Sequence, residues 1–233
     1  MRINGFEGVS LIDYPGKICS IVYTSPCNFR CPFCHNPSLV TENKRLLDTE
    51  EILSEISSRN GFIEAVTVTG GEPTLQPGLF EFLSRVRSMG LLAKIDTNGY
   101  YFEVVEKLIK DNLVDFIAMD IKTSPEKYPI ATGLKNSWKN AGKTLKYIIK
   151  SGINHCFRTT AVPGITDEED FREIAKLIKG AKLYVIQQFE NDITLDESMK
   201  DTKPYTEKEL AVFTAIAEKS GVSVKVENLA VTA

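Results

Sequence analysis

The chain has 233 residues, of which 42% are hydrophobic and 25% charged, a composition typical of a folded globular protein that excludes dominant disorder or a fibrous repeat. Its 28 basic and 31 acidic residues leave a net charge of −3, which provides no global attraction for nucleic acid or anionic lipid. No apolar run approaches the roughly eighteen residues of a membrane span, and the first residues lack the apolar core of a signal peptide. We therefore expect a cytoplasmic protein with no nucleic-acid partner and no membrane partner.

Six apolar, β-branched runs predict strands, and amphipathic stretches between them predict helices. The predicted strands are residues 18–24, 65–69, 92–97, 114–121, 153–161 and 183–189. Between the second and third runs, Leu79, Phe82, Leu83 and Val86 recur at spacings that place them on one helical face. The same pattern continues along the chain, so strands and helices are expected to alternate.

Three helix starts carry the spacing of a capping box, in which a side chain before the helix and an acidic residue three positions later satisfy free backbone N–H groups. The pairs are Asp48 with Glu51, Thr166 with Glu169, and Thr206 with Glu209.

Continuously apolar strands that are each followed by a helix predict a parallel sheet covered on its outer face, either doubly wound or a barrel. Six strands are fewer than the eight of a closed barrel of about 250 residues. The count and length favour an α/β fold of the partial (β/α)6 TIM-like barrel class, with parallel strands and a lateral opening. We expect a single domain over residues 1–233, with a core at about 10–190 and a C-terminal helix and strand extension at about 205–228.

Three of the five cysteines, Cys27, Cys31 and Cys34, lie within eight residues. Three thiolates on so short a loop can bind three irons of a cubane iron–sulfur cluster and leave the fourth iron open, which is typical of a catalytic centre. Cys19 and Cys156 stand alone, and we expect them to be small buried hydrophobic residues.

The segments that follow the predicted strands are polar and rich in glycine. Examples are Gly70–Thr74, Asp96–Gly99 and Asp120–Lys122. Because the carboxyl ends of parallel strands form the ligand-binding rim, these segments predict a binding site beside the cysteine loop.

The CxxxCxxC spacing with an aromatic residue before the last cysteine, followed by GGEP after the next strand, resembles the radical S-adenosylmethionine (SAM) superfamily. Within it, SLIDYPGK, CNFRCPFCHNP and TGGEPTLQ resemble the activating enzymes of glycyl-radical enzymes. The motifs are most similar to the long form of the activating proteins of anaerobic ribonucleoside-triphosphate reductase, and pyruvate formate-lyase activating enzymes are related. The resemblance runs from about Ser10 to Phe189.

The resemblance implies a [4Fe-4S] cluster on Cys27, Cys31 and Cys34, with SAM chelating the open iron. It further implies that one electron, supplied by a flavodoxin or ferredoxin, cleaves SAM to methionine and a 5′-deoxyadenosyl radical. In the activating enzymes this radical takes a hydrogen atom from a glycine of a partner enzyme, so the partner implied is a glycyl-radical enzyme. The cofactor carries the radical chemistry and the protein supplies orientation.

Further roles are carried over by motif. Gly70, Gly71 and Glu72 resemble the segment that holds the methionyl ammonium of SAM. Asp96 is similar to an aspartate that, together with a second aspartate, surrounds a monovalent cation beside SAM, and Asn98 lies in the same cofactor-binding turn. The alternative interpretation of this turn is structural, because Asn-Gly favours left-handed backbone geometry.

The second aspartate is implied to be Asp120, so the predicted cation lies near Asp96 and Asp120. Asp120 and Lys122 resemble the pair near the SAM carboxylate, and Arg158 resembles an arginine placed against SAM. Asp120 and Lys122 alternate along an extended segment, so we expect their side chains to share a face.

Two departures from the family pattern stand out. Gln187, Gln188 and Phe189 occupy the end of the sixth predicted strand, where a relative carries a histidine, so no adenosine contact is assigned there. Ser25-Pro26 precedes the first cysteine in place of an expected glycine. The charged segment 191–204 is interpreted as a surface loop, with a lid or docking loop as the alternative.

Two rival functions remain open at the level of sequence. His35 follows Cys34 directly, and a Cys3His zinc site would make the chain a structural module. Alternatively, a radical SAM enzyme of this kind acts on a different glycyl-radical enzyme or on a small molecule.

Overall fold

A computed structural model describes residues 1–41 and 46–227 of the chain. Its strands are β1 Ile3–Tyr14, β2 Lys17–Thr24, β3 Ala65–Gly70, β4 Leu92–Thr97, β5 Phe116–Asp120, β6 Asn154–Ala161, β7 Leu183–Gln188 and β8 Ser223–Glu227. Its helices are α1 Thr49–Ser58, α2 Leu79–Ser88, α3 Phe102–Lys110, α4 Tyr128–Thr132, α5 Ser137–Ser151, α6 Glu168–Leu177 and α7 Glu207–Glu218.

The eight strands follow one another in the sheet in chain order, from β1 to β8. β1 pairs antiparallel with β2, whereas β2, β3 and β4 pair parallel, as do β6, β7 and β8. Parallel neighbours need a crossover connection, and the helices supply it.

The first of two compact units comprises residues 1–28 and 38–118 and contains β1 to β4 with α1 to α3. Its core includes the predicted apolar face of α2, because Leu79, Phe82, Leu83 and Val86 are all buried. Asp48 caps α1 by accepting hydrogen bonds from the N–H groups of Glu50 and Glu51 at 2.8 and 3.0 Å.

The second unit comprises residues 29–37 and the described residues from 119 to 227, with α4 to α7 and β6 to β8. Helices α6 and α7 pack through Phe171 and Phe213, whose rings stack with centroids 4.4 Å apart. Tyr205 meets Phe213 edge-on at 4.9 Å and donates its hydroxyl to the carbonyl of Thr166 at 2.6 Å. These aromatic contacts join α6 to α7 and to the segment just before α7.

All six predicted strands are present, with ends that differ from the predicted ones by at most two residues. The predicted α/β fold with a mostly parallel, laterally open sheet is confirmed, and the parallel strand β8 falls in the predicted C-terminal extension, whose last residue, 228, lies outside the described residues. Strand β1 was not predicted. Only a few side chains of β1 are buried, so its sequence, which includes Gly5 and Gly8, shows no regular alternation of apolar and polar residues.

One helix start lies one residue away from its predicted position. Thr206 and Glu209 form the predicted capping box of α7, but the box of α6 uses Asp167 with Asp170 in place of Thr166 with Glu169. The Thr166 hydroxyl already accepts a hydrogen bond from the N–H of Val162 at 2.9 Å, so the next residue takes the capping position.

Within the described ranges, no helix combines the length and apolarity needed to cross a membrane. The single domain over residues 1–233, with its core at about 10–190, stays a prediction.

Candidate active site

The first candidate ligand, Cys27, lies directly after β2 in the first unit. Its backbone N–H donates to the carbonyl of Val40 at 3.2 Å, which ties it to the segment beyond the cysteine loop. The side-chain amide of Asn98 approaches its thiol, with Nδ2 3.9 Å from Cys27 Sγ, and also donates to Asn28 Oδ1 at 2.9 Å. Asn98 is only 5% exposed, so the thiol faces a buried amide donor.

The GGEP segment after β3 is bound to the residues that precede Cys27. The N–H of Glu72 donates to the carbonyl of Pro26 at 3.1 Å, and the side-chain amide of Gln76 donates to the same oxygen at 3.3 Å. At Gly71, a Cβ atom would come within 2.7 Å of the Pro26 carbonyl group. A larger residue at position 71 would therefore push the GGEP segment away from the start of the cysteine loop.

Gly70 is needed for a different reason. Its φ of +109° lies in the region that favours glycine, and a Cβ atom would lie 2.5 Å from the backbone nitrogen of Thr24. Gly70 and Gly71 therefore let the backbone of β3 turn closely beside β2.

Glu72 is fully buried, and four protein donors point at its carboxylate. They are the N–H and hydroxyl of Thr74, the hydroxyl of Thr97 at 2.7 Å and the N–H of Asn98 at 2.8 Å. Burial raises the pKa of Glu72, and the hydrogen bonds from Asn98, Thr74 and Thr97 oppose that rise. The carboxylate thus joins the end of β3 to the end of β4.

Asp96 forms a buried ion pair with Lys94, two residues earlier on β4. The two side chains are only 10% and 6% exposed, and the hydroxyl of Thr69 donates to the other oxygen of Asp96 at 3.4 Å. No sequence motif contains Lys94. Its spacing from Asp96 predicts the contact, because residues two apart on a strand share a face.

Cys31 and Cys34 belong to the second unit and are connected by a tight turn, in which the N–H of Cys34 donates to the carbonyl of Cys31 at 3.1 Å. Just before them, the N–H of Arg30 donates to the carbonyl of Thr132 at 2.8 Å. Pro32, between the two cysteines, accepts a hydrogen bond from the N–H of Asp196 at 2.9 Å.

Segment 191–204 therefore contacts the cysteine loop. The side-chain amide of Asn191 donates to the carbonyls of Lys200 and Thr202 at 2.8 and 3.3 Å, and Thr194 is 4% exposed. These bonds close the segment on itself. These contacts assign neither a lid role nor a docking role to segment 191–204.

Asp120, Lys122 and Arg158 form a charged triad at the end of β5. Asp120 accepts hydrogen bonds from Lys122 Nζ and Arg158 Nε, both at 2.9 Å, so Asp120 and Lys122 do share a face. Burial alone would raise the pKa of Asp120, but Arg158 and Lys122 outweigh burial and lower it to about 2. The triad carries two positive charges and one negative charge, which leaves an excess positive charge for an anionic ligand.

Lys122 is also influenced by the cysteine loop. Burial lowers its pKa, whereas the neighbouring Asp120 and Cys31 raise it, and the net shift is upward. Tyr128 also contacts the triad, because its hydroxyl donates to the Asp120 carbonyl at 3.3 Å. No motif points to Tyr128, because it lies on α4 outside the strand ends.

The three residues at the end of β7 have mainly structural contacts. The side-chain amide of Gln188 donates to the carbonyl of Tyr205, and Phe189 is 1% exposed with its ring centroid 6.3 Å from that of His35. The hydrogen bond of Gln188 and the packing of Phe189 assign no adenosine-binding role to Gln187.

The donor chemistry fits an iron–sulfur cluster. All five cysteines are free thiols, and Cys19 and Cys156 are buried as predicted. Beside Cys27, the Nδ2 atom of Asn28 is buried and has no hydrogen-bond partner among the described residues, so it can donate to an anionic sulfur or ligand atom. In the described part of the chain, no three His, Cys, Asp or Glu side chains converge on a point that would hold a single metal ion. A Cys3His zinc site binds all of its ligands to one ion, whereas a cubane binds each thiolate to a different iron.

Comparisons with known proteins show the family to which the chain belongs. Residues 21–178 match the family described as the radical SAM superfamily. The chain is 39% identical to the "Putative glycyl-radical enzyme activating enzyme" of Methanocaldococcus jannaschii over 93% of this chain and 92% of the relative. It is 31% identical to the pyruvate formate-lyase-activating enzyme of Clostridium pasteurianum over 78% and 77% of the two chains.

Solved structures of low sequence identity share the fold. Streptococcus suis SuiB bound to S-adenosylmethionine superposes with a TM-score of 0.70 at 15% identity, covering 90% of this chain and 50% of SuiB. Archaeal TYW1 superposes with a TM-score of 0.61 at 16% identity, covering 92% and 74%. Together with the full-length relatives, the matched motifs and the fold lead to one conclusion: this chain belongs to the radical SAM superfamily and, within it, to the activating enzymes of glycyl-radical enzymes.

Proposed function

We propose that this radical SAM activating enzyme binds a [4Fe-4S] cluster through Cys27, Cys31 and Cys34 and generates a glycyl radical on an anaerobic ribonucleotide reductase. Family membership implies the cluster, SAM and a glycyl-radical enzyme as protein substrate. When bound, the cluster supplies the electron that cleaves SAM reductively. The ligands and the identity of the partner are the proposal.

One observation carries the proposal of the cluster site. The segments after β2, β3 and β4 are joined by hydrogen bonds through Pro26, Glu72 and Asn98, and this network ends at the Cys27 thiol. A buried carboxylate with four donors costs desolvation that a simple surface loop would not need. The network is therefore best explained as a rigid support for a ligand at these strand ends.

We assign the SAM carboxylate to the Asp120, Lys122 and Arg158 triad. Its excess positive charge suits a carboxylate, and its hydrogen bonds hold both cations in place before the ligand arrives. Asp120 orients Lys122 and Arg158 and keeps its own negative charge, since its pKa is lowered to about 2.

The methionyl ammonium is assigned to the half-buried backbone of Gly70 and Gly71. Glu72 belongs to the same segment, but its carboxylate is buried and engaged by Thr74, Thr97 and Asn98. We therefore assign Glu72 the role of holding the segment in shape.

The sequence predicts a monovalent cation near Asp96 and Asp120, and we propose that the Lys94 ammonium takes its place. The Lys94 ammonium already pairs with Asp96 in a buried position, which supplies a positive charge where a cation would neutralise the carboxylate. SAM cleavage by the wild-type enzyme should therefore be the same in potassium, sodium and tetramethylammonium buffers.

The Lys94→Met variant tests this role of Lys94. It leaves Asp96 without its ammonium partner, so its SAM cleavage should become dependent on potassium or sodium. Lys17→Met, which removes a surface lysine paired with Glu64, is the matched control and should show no such dependence. Equal potassium dependence in the wild-type and Lys94→Met proteins would refute the assignment of this charge to Lys94.

The choice of ribonucleotide reductase as partner rests on the motifs SLIDYPGK, CNFRCPFCHNP and TGGEPTLQ. The relatives named as pyruvate formate-lyase-activating enzymes make that enzyme the alternative substrate. A flavodoxin or ferredoxin as electron donor, the lack of a nucleic-acid partner and a cytoplasmic location remain predictions.

Electron paramagnetic resonance separates the candidate partners. The reconstituted protein, SAM and a reductant are incubated with anaerobic ribonucleotide reductase or with pyruvate formate-lyase from the same organism. We expect a glycyl-radical doublet on the reductase. A doublet only on the formate-lyase would reassign the partner, and deoxyadenosine release with a small molecule but no protein radical would exclude both.

A further inference from the structure

The amide of Asn98 lies beside the thiol of Cys27, and its chemistry suits hydrogen bonding to a cluster ligand. Nδ2 is 3.9 Å from Cys27 Sγ, within the range of an N–H···S contact. The motif assignment places Asn98 in the cofactor-binding turn, and its side-chain amide contacts Cys27, Asn28 and Tyr100.

The orientation of this amide is determined by contacts on both sides. Its oxygen accepts a hydrogen bond from the N–H of Tyr100 at 3.0 Å, which directs Nδ2 away from Tyr100. Its backbone N–H donates to Glu72 at 2.8 Å, and Nδ2 also donates to Asn28 Oδ1 at 2.9 Å. An amide that is held in this way keeps one donor aimed at the thiol without further loss of side-chain entropy.

We propose that Asn98 is a positioning residue that donates an N–H···S hydrogen bond to the Cys27 thiolate and thereby raises the reduction potential of the cluster. The inference rests on the proposed assignment of Cys27 as a ligand. Hydrogen bonds to cluster sulfurs are among the factors that set the reduction potential, because a donor favours the more negative, reduced state. Glu72 contributes indirectly, by holding the backbone of Asn98.

The test is a redox titration monitored by electron paramagnetic resonance, on reconstituted full-length protein without SAM. Asn98→Asp keeps the acceptor for Tyr100 and removes the donor, and Asn98→Leu removes both at similar volume. We expect both variants to retain iron and to be reduced only at more negative potentials than the wild type. Loss of one hydrogen bond of about 1 kcal/mol corresponds to about fivefold in the reduction equilibrium, ~40 mV for a one-electron couple.

Gln76→Leu is the matched control. It removes another amide of the same network, one that donates to the carbonyls of Pro26 and Glu72 and has no contact with a thiol among its described hydrogen bonds. Its potential should equal that of the wild type. An equal shift in Gln76→Leu and Asn98→Leu would show that the effect comes from loosening the network, and the proposal would be wrong.

The remaining outcomes are also decisive. Unchanged potentials in both Asn98 variants would overturn the proposal while leaving the cluster assignment intact. Loss of iron from both Asn98 variants, with Gln76→Leu fully loaded, would show a structural role only. A wild-type protein that binds no cluster would refute the proposed function itself.

Discussion

Individual residues at the strand ends have separate tasks. Cys27, Cys31 and Cys34 lie on one short loop and are assigned as cluster ligands, whereas Cys19 and Cys156 are isolated, buried thiols. Burial raises the pKa of the Cys19 thiol, which favours its protonated form over the thiolate that binds metals.

Replacing any one of Cys27, Cys31 and Cys34 with Ala should remove the cluster and all SAM cleavage, because each thiolate is assigned to a different iron. Iron content and the visible absorption spectrum after anaerobic reconstitution measure the loss. Cys19→Ala and Cys156→Ala serve as controls and should keep both properties. Full iron loading of the Cys31→Ala protein would contradict the assignment of Cys31 as a ligand.

Asp120 makes the free energy of unfolding depend on pH. Its pKa falls from an ordinary 3.8 to about 2 in the folded protein, so its carboxylate stabilises the fold above about pH 4, and this stabilisation is lost as the pH falls through about 2. The pH-dependent part amounts to about 2 kcal/mol.

Denaturant unfolding of the cluster-free wild type and Asp120→Asn should therefore show a gap in the free energy of unfolding at pH 6. That gap should narrow between pH 4 and pH 2, where the wild-type carboxyl becomes protonated and resembles the amide. A gap that stays constant over this range would mean that the pKa of Asp120 is not lowered.

At the scale of secondary-structure elements, the capping box of α7 shows how a local sequence pattern stabilises a helix start. The box formed by Thr206 and Glu209 orients α7, which packs on α6 through Phe213 and Phe171. Capping satisfies backbone N–H groups that have no partner inside the helix.

Thr206→Ala should lower the free energy of unfolding by about 1 kcal/mol, because the N–H of Glu209 loses its acceptor. Thermal or urea unfolding measures the change. Thr206→Ser keeps the hydroxyl oxygen and should restore most of the stability; equal destabilisation by Ala and Ser would point to a packing effect of the methyl group.

The start of α6 and the strand β1 were not predicted correctly from the sequence, because tertiary contacts determine both. The capping residue of α6 is Asp167, since Thr166 is bound to Val162. Strand β1 exists because it pairs with β2, and its sequence pattern is too mixed to predict it.

At the scale of the whole molecule, the balanced charge constrains how a partner binds. With a net charge of −3, association with the protein substrate should depend on shape and local contacts. The yield of glycyl radical on the partner should change less than about tenfold between 50 and 200 mM salt, far less than for a protein that binds many phosphates. A loss of a thousandfold over this range, with SAM cleavage unchanged, would indicate binding dominated by charge.

The sequence by itself determined the alternation of strands and helices and the spacing of the cysteine loop, because periodicity and spacing along the chain are contained in it directly. Its motifs also carried the resemblance to the family, which the comparisons with relatives then showed. Only the tertiary structure decided that Lys94 pairs with Asp96, that Glu72 is buried under four donors, and that Asn98 faces Cys27. Cys27 and Asn98 are 71 positions apart, so their contact depends on how β2, β3 and β4 align, and the pattern within each strand carries no record of that alignment.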